Sequence, residues 1–303
     1  MPQVLASVDI GSNTAHLLVA EPKGGGLTRV TNESNWLSLG EVVSREGVIP
    51  DAVAQNICAT LEVFRKVARS EGARGIYIFA TEAVRTARNH DDLLRRIDLR
   101  IGIPVDVVQP RREAELTLRG ASLDSDSRNP FLLVEVGGGS VQIARCVRGK
   151  VKEEQSLPLG TGRLTTETKL VHPVSAKIQR QLLRTIDERL EGIEANFEKT
   201  PKLVVAGGVA RGLWRALHPD GARTLTAEEL DYMIYATARL DVDTIAKRFQ
   251  VKPRRAGTLL LGAVLYREIM RRFGFREALV SQYGVREGAV LEMAAGRIRP
   301  WPI

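Results

Sequence analysis

The sequence predicts an α/β fold built twice, as two lobes with a cleft between them, and three observations carry that expectation. The stretch V-D-I-G-S-N-T-A-H-L at 8–17 returns as V-E-V-G-G-G-S-V-Q-I at 134–143, matching Asp9 to Glu135, Gly11 to Gly137, Thr14 to Ser140 and His16 to Gln142. Apolar runs of strand length alternate with helical periods on both sides of the chain's middle. The chain has 303 residues, 44% hydrophobic and 26% charged, enough for two ordinary soluble domains.

Each copy of the repeat reads as strand, acid, Gly-rich turn, strand. Gly and Asn tolerate positive φ, so both turns suit a β-hairpin. P-loop and dinucleotide-binding loops instead open a helix, and Leu17-Leu18-Val19 lacks helical spacing. In the first lobe, strands fit 4–8, 15–21 and 27–31, with a short one near 36–39. A helix fits 51–70, with Asp51 after Pro50 as its N-cap. Strand 75–79, helix 81–97, strand 104–108 and helix 112–122 follow. Asp124-Ser-Asp-Ser-Arg-Asn-Pro130 is polar and turn-rich, which places the domains at 1–124 and 125–303. In the second lobe, strands 131–136 and 141–147 flank the turn. Beyond Pro158-Leu159-Gly160-Thr161-Gly162 the chain is mainly helical, at 173–197, 209–217, 227–240 and 255–272. Short strands fit 202–206, ending in Gly207-Gly208, and 278–281. A closing helix at 285–297 is expected to pack back toward the first lobe.

The net charge of +8 points to an anionic partner, although an ordinary solvated basic surface accounts for it equally well. Aromatic residues are 5%, with no basic tail and no aromatics interleaved with Arg, which argues against a nucleic-acid platform. No run approaches the roughly 20 apolar residues that span a bilayer. Met1-Pro2-Gln3 leaves no room for a leader before the first strand. Cys58 and Cys146 are far apart within apolar patterns, which fits a reducing compartment. A cytoplasmic protein is expected.

Two such turns facing one another across the cleft would aim backbone N–H groups at one point, and concave N–H arrays bind anions. Asp9 and Glu135 would then stand where a divalent cation bridges protein and phosphate. A single loop of this kind reads equally well as a tight turn with a solvated acid; the duplication favours phosphate.

The segments D-I-G-S-N-T-A-H-L-L-V at 9–19, A-T-E-A-V-R-T-A-R-N at 80–89, E-V-G-G-G-S at 135–140, S-L-P-L-G-T-G-R-L-T at 156–165 and G-V-R-E-G at 284–288 occur in one specific order and spacing. Through them the chain resembles the exopolyphosphatase / guanosine pentaphosphate phosphohydrolase family, of the actin-like ATPase (ribonuclease H-like) superfold, in its short two-domain form. The resemblance implies a water-activating base at Glu113, within Gln109-Pro-Arg-Arg-Glu-Ala-Glu-Leu116, and a phosphate-contacting Arg85. It implies phosphate binding by Gly11, Ser12, Asn13 and Thr14, by Gly137, Gly138, Gly139 and Ser140, and by Gly207 and Gly208. It implies Mg²⁺ (or Mn²⁺) at Asp9 and Glu135. Read without it, Glu113 is a carboxylate meeting a helix dipole, Arg85 and Arg88 are a solvated helix face, and Glu115 is surface. Lys252, Arg254, Arg255, Arg271 and Arg272 line a path for a polyanion or are surface charges.

The chain departs from the family pattern at Glu135 for Asp, Gln142 for Glu, Arg112 for an acid and His16 for Arg. It also lacks a hydroxyl in Gly208-Val209-Ala210. The expected activity is removal of the terminal phosphate from inorganic polyphosphate or guanosine pentaphosphate. A phosphate- or nucleotide-binding regulator of the same fold is the alternative, and a sugar or acetate kinase a third. A homodimer is carried over only by analogy.

Overall fold

The computed structural model describes residues 3–303; Met1 and Pro2, on which the expectation of a leaderless start rests in part, lie outside the described residues. The chain forms two compact units, one up to Leu123 together with Tyr283–Ile303, the other Asp124–Gln282. The first contains β1 (Leu5–Ile10), β2 (Thr14–Lys23), β3 (Gly26–Trp36), α1 (Leu39–Glu46), α2 (Asp51–Ser70), β4 (Gly75–Ala80), α3 (Glu82–Thr86), α4 (His90–Ile101), β5 (Val105–Val107) and α5 (Pro110–Ala121). The second contains β6 (Phe131–Val136), β7 (Val141–Val147), β8 (Lys150–Leu157), α6 (Thr161–Thr168), α7 (Ala176–Glu191), β9 (Leu203–Ala206), α8 (Gly207–Leu217), β10 (Thr224–Thr226), α9 (Ala227–Ala238), α10 (Val242–Arg248), α11 (Pro253–Phe273) and β11 (Glu277–Val280). The closing α12 (Val285–Ala294) and β12 (Trp301–Pro302) belong to the first unit.

Both sheets follow one path. In the first, β3, β2 and β1 run antiparallel, and β1 then pairs parallel with β4, and β4 with β5. In the second, β8, β7 and β6 run antiparallel, and β6 then pairs parallel with β9, and β9 with β11. The repeat seen in the sequence is also a repeat of register: Asp9 lies opposite His16, and Glu135 opposite Gln142.

In the first unit the sheet is covered on both faces, so its parallel strands read as unbroken apolar runs. Ala6, Val8 and Ile10 enter a core with Ile57, Leu61 and Ile97 from α2 and α4. Leu5, Tyr77 and Phe79 enter another with Leu116 of α5 and Ala289, Val290 and Met293 of α12. Ser7 Oγ donates to the Arg286 carbonyl at 3.1 Å, tying β1 to α12. α5 and α12 approach at backbone distance: a Cβ on Gly288 would lie 1.8 Å from the Leu116 carbonyl oxygen, and one on Gly120 would lie 2.0 Å from that of Gly284. The G-V-R-E-G segment is therefore a packing device beneath α5. Its Glu287 closes a capping box on the Gly284 N–H at 2.9 Å and accepts from Arg29 Nε and a terminal guanidinium nitrogen at 3.2 and 2.9 Å.

Further along α12, Glu292 accepts from Arg297 Nε at 2.8 Å and lies 3.8 and 3.6 Å from Arg112 and Arg119. The Arg297 hydrogen bonds, and then the charges of these arginines, hold its carboxyl below the ordinary glutamate range. A depressed value means stabilisation that is present above that range and lost as pH falls through it. Glu292→Gln is therefore expected to cost about 2 kcal/mol at pH 7. Urea unfolding from pH 7 to pH 3 should show variant and wild type converging at the acid end; a constant gap across the range would refute the linkage.

Several elements differ from expectation for identifiable reasons. The 36–39 region is not a strand: β3 runs to Trp36, and α1 begins at Leu39 because the Leu37 and Ser38 N–H groups turn onto the Asn13 carbonyl. Pro50 rather than Asp51 occupies the N-cap of α2, with Asp51 in the first helical turn. The helix expected over 81–97 is broken between α3 and α4. There Asn89 leaves the helix to accept from the Ile49 N–H and donate to the Ile49 carbonyl, at 2.8 and 2.9 Å. Strands β8, β10 and β12 and helices α1, α6 and α10 had no expected counterpart.

Candidate active site

In open α/β sheets ligands gather at the carboxyl ends of parallel strands. In the first unit those ends carry the turn after β1, the Thr81–Arg85 segment after β4 and the N-terminus of α5 after β5. Pro110 begins α5 and preorganises its first turn, which lifts Glu113 onto that end. Arg85 sits in the last turn of α3 and donates to the Val108 carbonyl at 2.6 Å, which pins its guanidinium beside α5. Arg85 and Glu113 are thereby brought together at 3.7 Å, both largely sheltered from solvent. Arg88 serves elsewhere, donating to the Glu46 carbonyl at the end of α1. Arg112 faces Glu115 at 3.4 Å as well as Glu292, away from that pairing.

The turn after β1 is closed by the Gly11 N–H on the Thr14 carbonyl at 3.1 Å. The Ser12 carbonyl accepts from Gly40 N–H at 2.6 Å, and the Asn13 carbonyl from Leu37 and Ser38 at 2.8 and 3.2 Å. A trans peptide points its C=O and N–H in opposite directions. Committing these carbonyls to the start of α1 therefore turns the Asn13 and Thr14 N–H groups the other way. The Ser12 hydroxyl is buried and donates to Glu82 at 3.0 Å, a partner the sequence did not suggest. Asp9, at the end of β1, lies just under Gly11, where an added Cβ would be 3.8 Å from its Oδ1.

The second unit repeats the device. The Gly137 N–H closes its turn on the Ser140 carbonyl at 2.9 Å. The carbonyls of Gly137, Gly138 and Gly139 are taken by α6 and the residue before it. Thr161 reaches the first at 3.0 Å, Gly162 and Arg163 reach the second at 2.8 and 3.1 Å, and Gly160 reaches the third at 3.2 Å. The N–H groups of Gly138, Gly139 and Ser140 consequently face away from α6. Gly160 is required by proximity, since a Cβ there would lie 2.3 Å from the Gly138 carbonyl carbon. Glu135 sits beneath the third turn: Gly207 has φ +87, and a Cβ on it would fall 2.6 Å from Glu135 Oε1. Gly207 thus needs both positive φ and no side chain.

Two supports escaped sequence reading. The fully buried Tyr266 accepts from the Val136 N–H and donates to the Ala206 carbonyl, both at 3.3 Å, joining the strands that carry the second and third turns. Burial holds its phenol well above the ordinary value, so it stays protonated as that donor. The glycines that seat each turn, Gly40 and Gly160, close the matching sequences Leu37-Ser-Leu-Gly40 and Leu157-Pro-Leu-Gly160. That second repeat was the available signal.

Among the described residues no three or more His, Cys, Asp or Glu side chains gather as a metal cage. Asp9 and Glu135 each offer one carboxylate beside a turn. That donor set suits Mg²⁺, which takes one or two carboxylates and completes its shell with phosphate oxygens and water. Cys58 and Cys146 are buried, with burial pushing the Cys146 thiol up to about 12, so neither is an available nucleophile. No helix among the described residues is long and apolar enough to cross a membrane.

The family model of the Ppx/GppA phosphatase family matches residues 18–296. Exopolyphosphatase 1 of Mycobacterium leprae is 29% identical over 299 residues, spanning 95% of this chain and 88% of the relative. Exopolyphosphatase 1 of Mycobacterium bovis is 30% identical over 299 residues, spanning 95% and 87%. Among solved structures, the Aquifex aeolicus Ppx/GppA family member superposes with a TM-score of 0.83 at 24% identity, covering 98% of this chain and 99% of that one. An exopolyphosphatase from Cytophaga hutchinsonii superposes with a TM-score of 0.87 at 22% identity, covering 97% and 98%. These neighbours have the actin-like ATPase fold, and so does this chain. With the family's motifs covering nearly its whole length, the chain belongs to the Ppx/GppA phosphatase family.

Proposed function

We propose that this chain is an exopolyphosphatase, releasing the terminal phosphate of inorganic polyphosphate by attack of water on the phosphoanhydride. The observation that carries the reading is the Arg85–Glu113 pairing at 3.7 Å, at the carboxyl ends of β4 and β5. A carboxylate ionised at neutral pH accepts the proton of the attacking water. The Arg85 fork, steadied by the Val108 carbonyl, neutralises charge on the reacting phosphoryl oxygens. The backbone N–H groups of Gly11–Thr14 and Gly137–Ser140 bind phosphate oxygens, together with Gly207 and Gly208. Asp9 and Glu135 are the carboxylates that would hold Mg²⁺ or Mn²⁺, which would supply neutralisation of the leaving phosphate's charge.

One observation favours a second reading, a phosphate- or nucleotide-binding regulator of the same fold. Gln142, opposite Glu135, is neutral and buried, which reduces the charge available to a metal. A phosphate-release assay over polyphosphates of graded length and guanosine pentaphosphate, with and without Mg²⁺ or Mn²⁺, decides between them. The expected result is metal-dependent release from polyphosphate that exceeds release from the nucleotide. Tight binding of either compound without turnover would select the regulator, and preferential turnover of the nucleotide would replace polyphosphate as substrate.

A further inference from the structure

The two Gly-rich turns are held by different means. In the second, the carbonyls of Gly137, Gly138 and Gly139 are all taken by N–H groups at the start of α6 or just before it. In the first, N–H groups of Leu37, Ser38 and Gly40 reach the carbonyls of Ser12 and Asn13. The first turn has a side-chain bond in addition. The Ser12 hydroxyl donates to Glu82 Oε2 at 3.0 Å, with Ser12 6% and Glu82 7% exposed. Gly138 stands at the matching place in the second turn and has no side chain to offer.

Glu82 is itself fixed. It opens α3, Thr86 Oγ1 donates to its carbonyl at 2.9 Å, and the preceding Thr81 N–H donates to the Ile10 carbonyl at 3.2 Å. The acceptor therefore stands on a segment already docked against the end of β1. On another side Gly40 confines Ser12, since a Cβ added to that glycine would lie 2.7 Å from the Ser12 Cβ. A hydroxyl carries one proton. While that proton is given to Glu82 it is withheld from any ligand. Burial removes the water that would compete for the bond, and a carboxylate acceptor makes it stronger than a neutral one would.

We infer that Glu82 is a positioning residue: by holding the Ser12 hydroxyl it keeps the first turn in the conformation that aims its backbone N–H groups at phosphate. The role rests on the proposed phosphate binding by this turn. A turn that occupies its binding form for only part of the time loses affinity in proportion. The charge of Glu82 alone would act the other way, because a carboxylate beside the turn repels phosphate. Position and charge thus give opposite signs in the same variant.

The test uses the full chain in EDTA, titrated with inorganic tripolyphosphate by calorimetry, with amide hydrogen exchange of segment 9–16 followed without ligand. Glu82→Ala and Ser12→Ala should each lose at least about fivefold in affinity and speed exchange in the turn. The double variant should be no worse than either, because both changes remove one bond. Glu82→Gln keeps a carbonyl acceptor and should restore most of the affinity and the slow exchange. Tighter binding in both Glu82 variants would overturn the inference in favour of charge. A lower Tm with affinity and exchange unchanged would overturn it in favour of a merely structural role. A loss in Ser12→Ala far beyond that in Glu82→Ala would also overturn it, since the hydroxyl would then bind phosphate itself. Should Glu82→Ala fail to fold, Ser12→Ala set against Glu82→Gln carries the test. Exchange needs no ligand, so faster exchange in variants of a chain that binds no phosphate would support the hold on the turn and overturn the phosphate reading alone.

Discussion

Glu113→Gln is expected to lower kcat for phosphate release from polyphosphate by about 10²- to 10⁴-fold, the usual worth of a positioned general base. The amide is nearly isosteric and cannot take a proton from water. Arg85 keeps its hydrogen bond to the Val108 carbonyl, so the local fold has little reason to move. Removing a negative charge 3.7 Å from Arg85 also leaves that guanidinium more available to phosphate. KM should therefore hold or fall while kcat collapses, the pattern of a group acting on the transition state. Arg85→Ala should instead raise KM and lower kcat together, because it removes a charge that binds substrate in both states. Steady-state phosphate release with matched thermal unfolding curves reads both effects. A Glu113→Gln enzyme with wild-type kcat would end the assignment of Glu113 as base.

Gly288→Ala should be the most destabilising single methyl group in the first unit. Its Cβ would lie 1.8 Å from the Leu116 carbonyl oxygen and 3.1 Å from the Gly120 nitrogen, both backbone atoms of α5 that no rotamer change can move aside. The helices must separate, at a cost of about 3 kcal/mol or more, comparable to severe overpacking. Because α5 carries Glu113, kcat should fall in the fraction that remains folded. Gly257 in α11 supplies the contrast. A Cβ there meets nothing within 4 Å, so Gly257→Ala should stabilise the chain by roughly 0.5–1 kcal/mol through helix propensity. Equilibrium denaturation of the pair tests the sign difference. Equal and small effects would mean that the α5–α12 approach is looser than the structure has it.

Some of this could be read before any coordinates. The strand–acid–turn–strand repeat announced itself because a hairpin is local: period-two apolar residues and turn glycines all lie within ten positions of one another. The helix at 51–70 emerged with the bounds of α2, since a long amphipathic run carries its own signal. The choice of Glu113 and Arg85 came from motif resemblance, as nothing in their local spacing separates a base from a helix-terminal acid or a phosphate ligand from a solvated arginine.

What the sequence determined by itself was therefore local: two hairpins, their acids and turns, and the helices with strong periodicity. Tertiary structure alone decided which groups meet. It set Arg85 against Glu113, turned the carbonyls of each Gly-rich loop onto the start of a following helix and hung two strands on the Tyr266 hydroxyl. It also ended β3 at Trp36 and split the helix expected over 81–97, where backbone partners arrive from elsewhere in the chain. The reason is that propensity and periodicity are sums over near neighbours, whereas a hydrogen bond or an ion pair between distant residues depends on how the chain returns to itself.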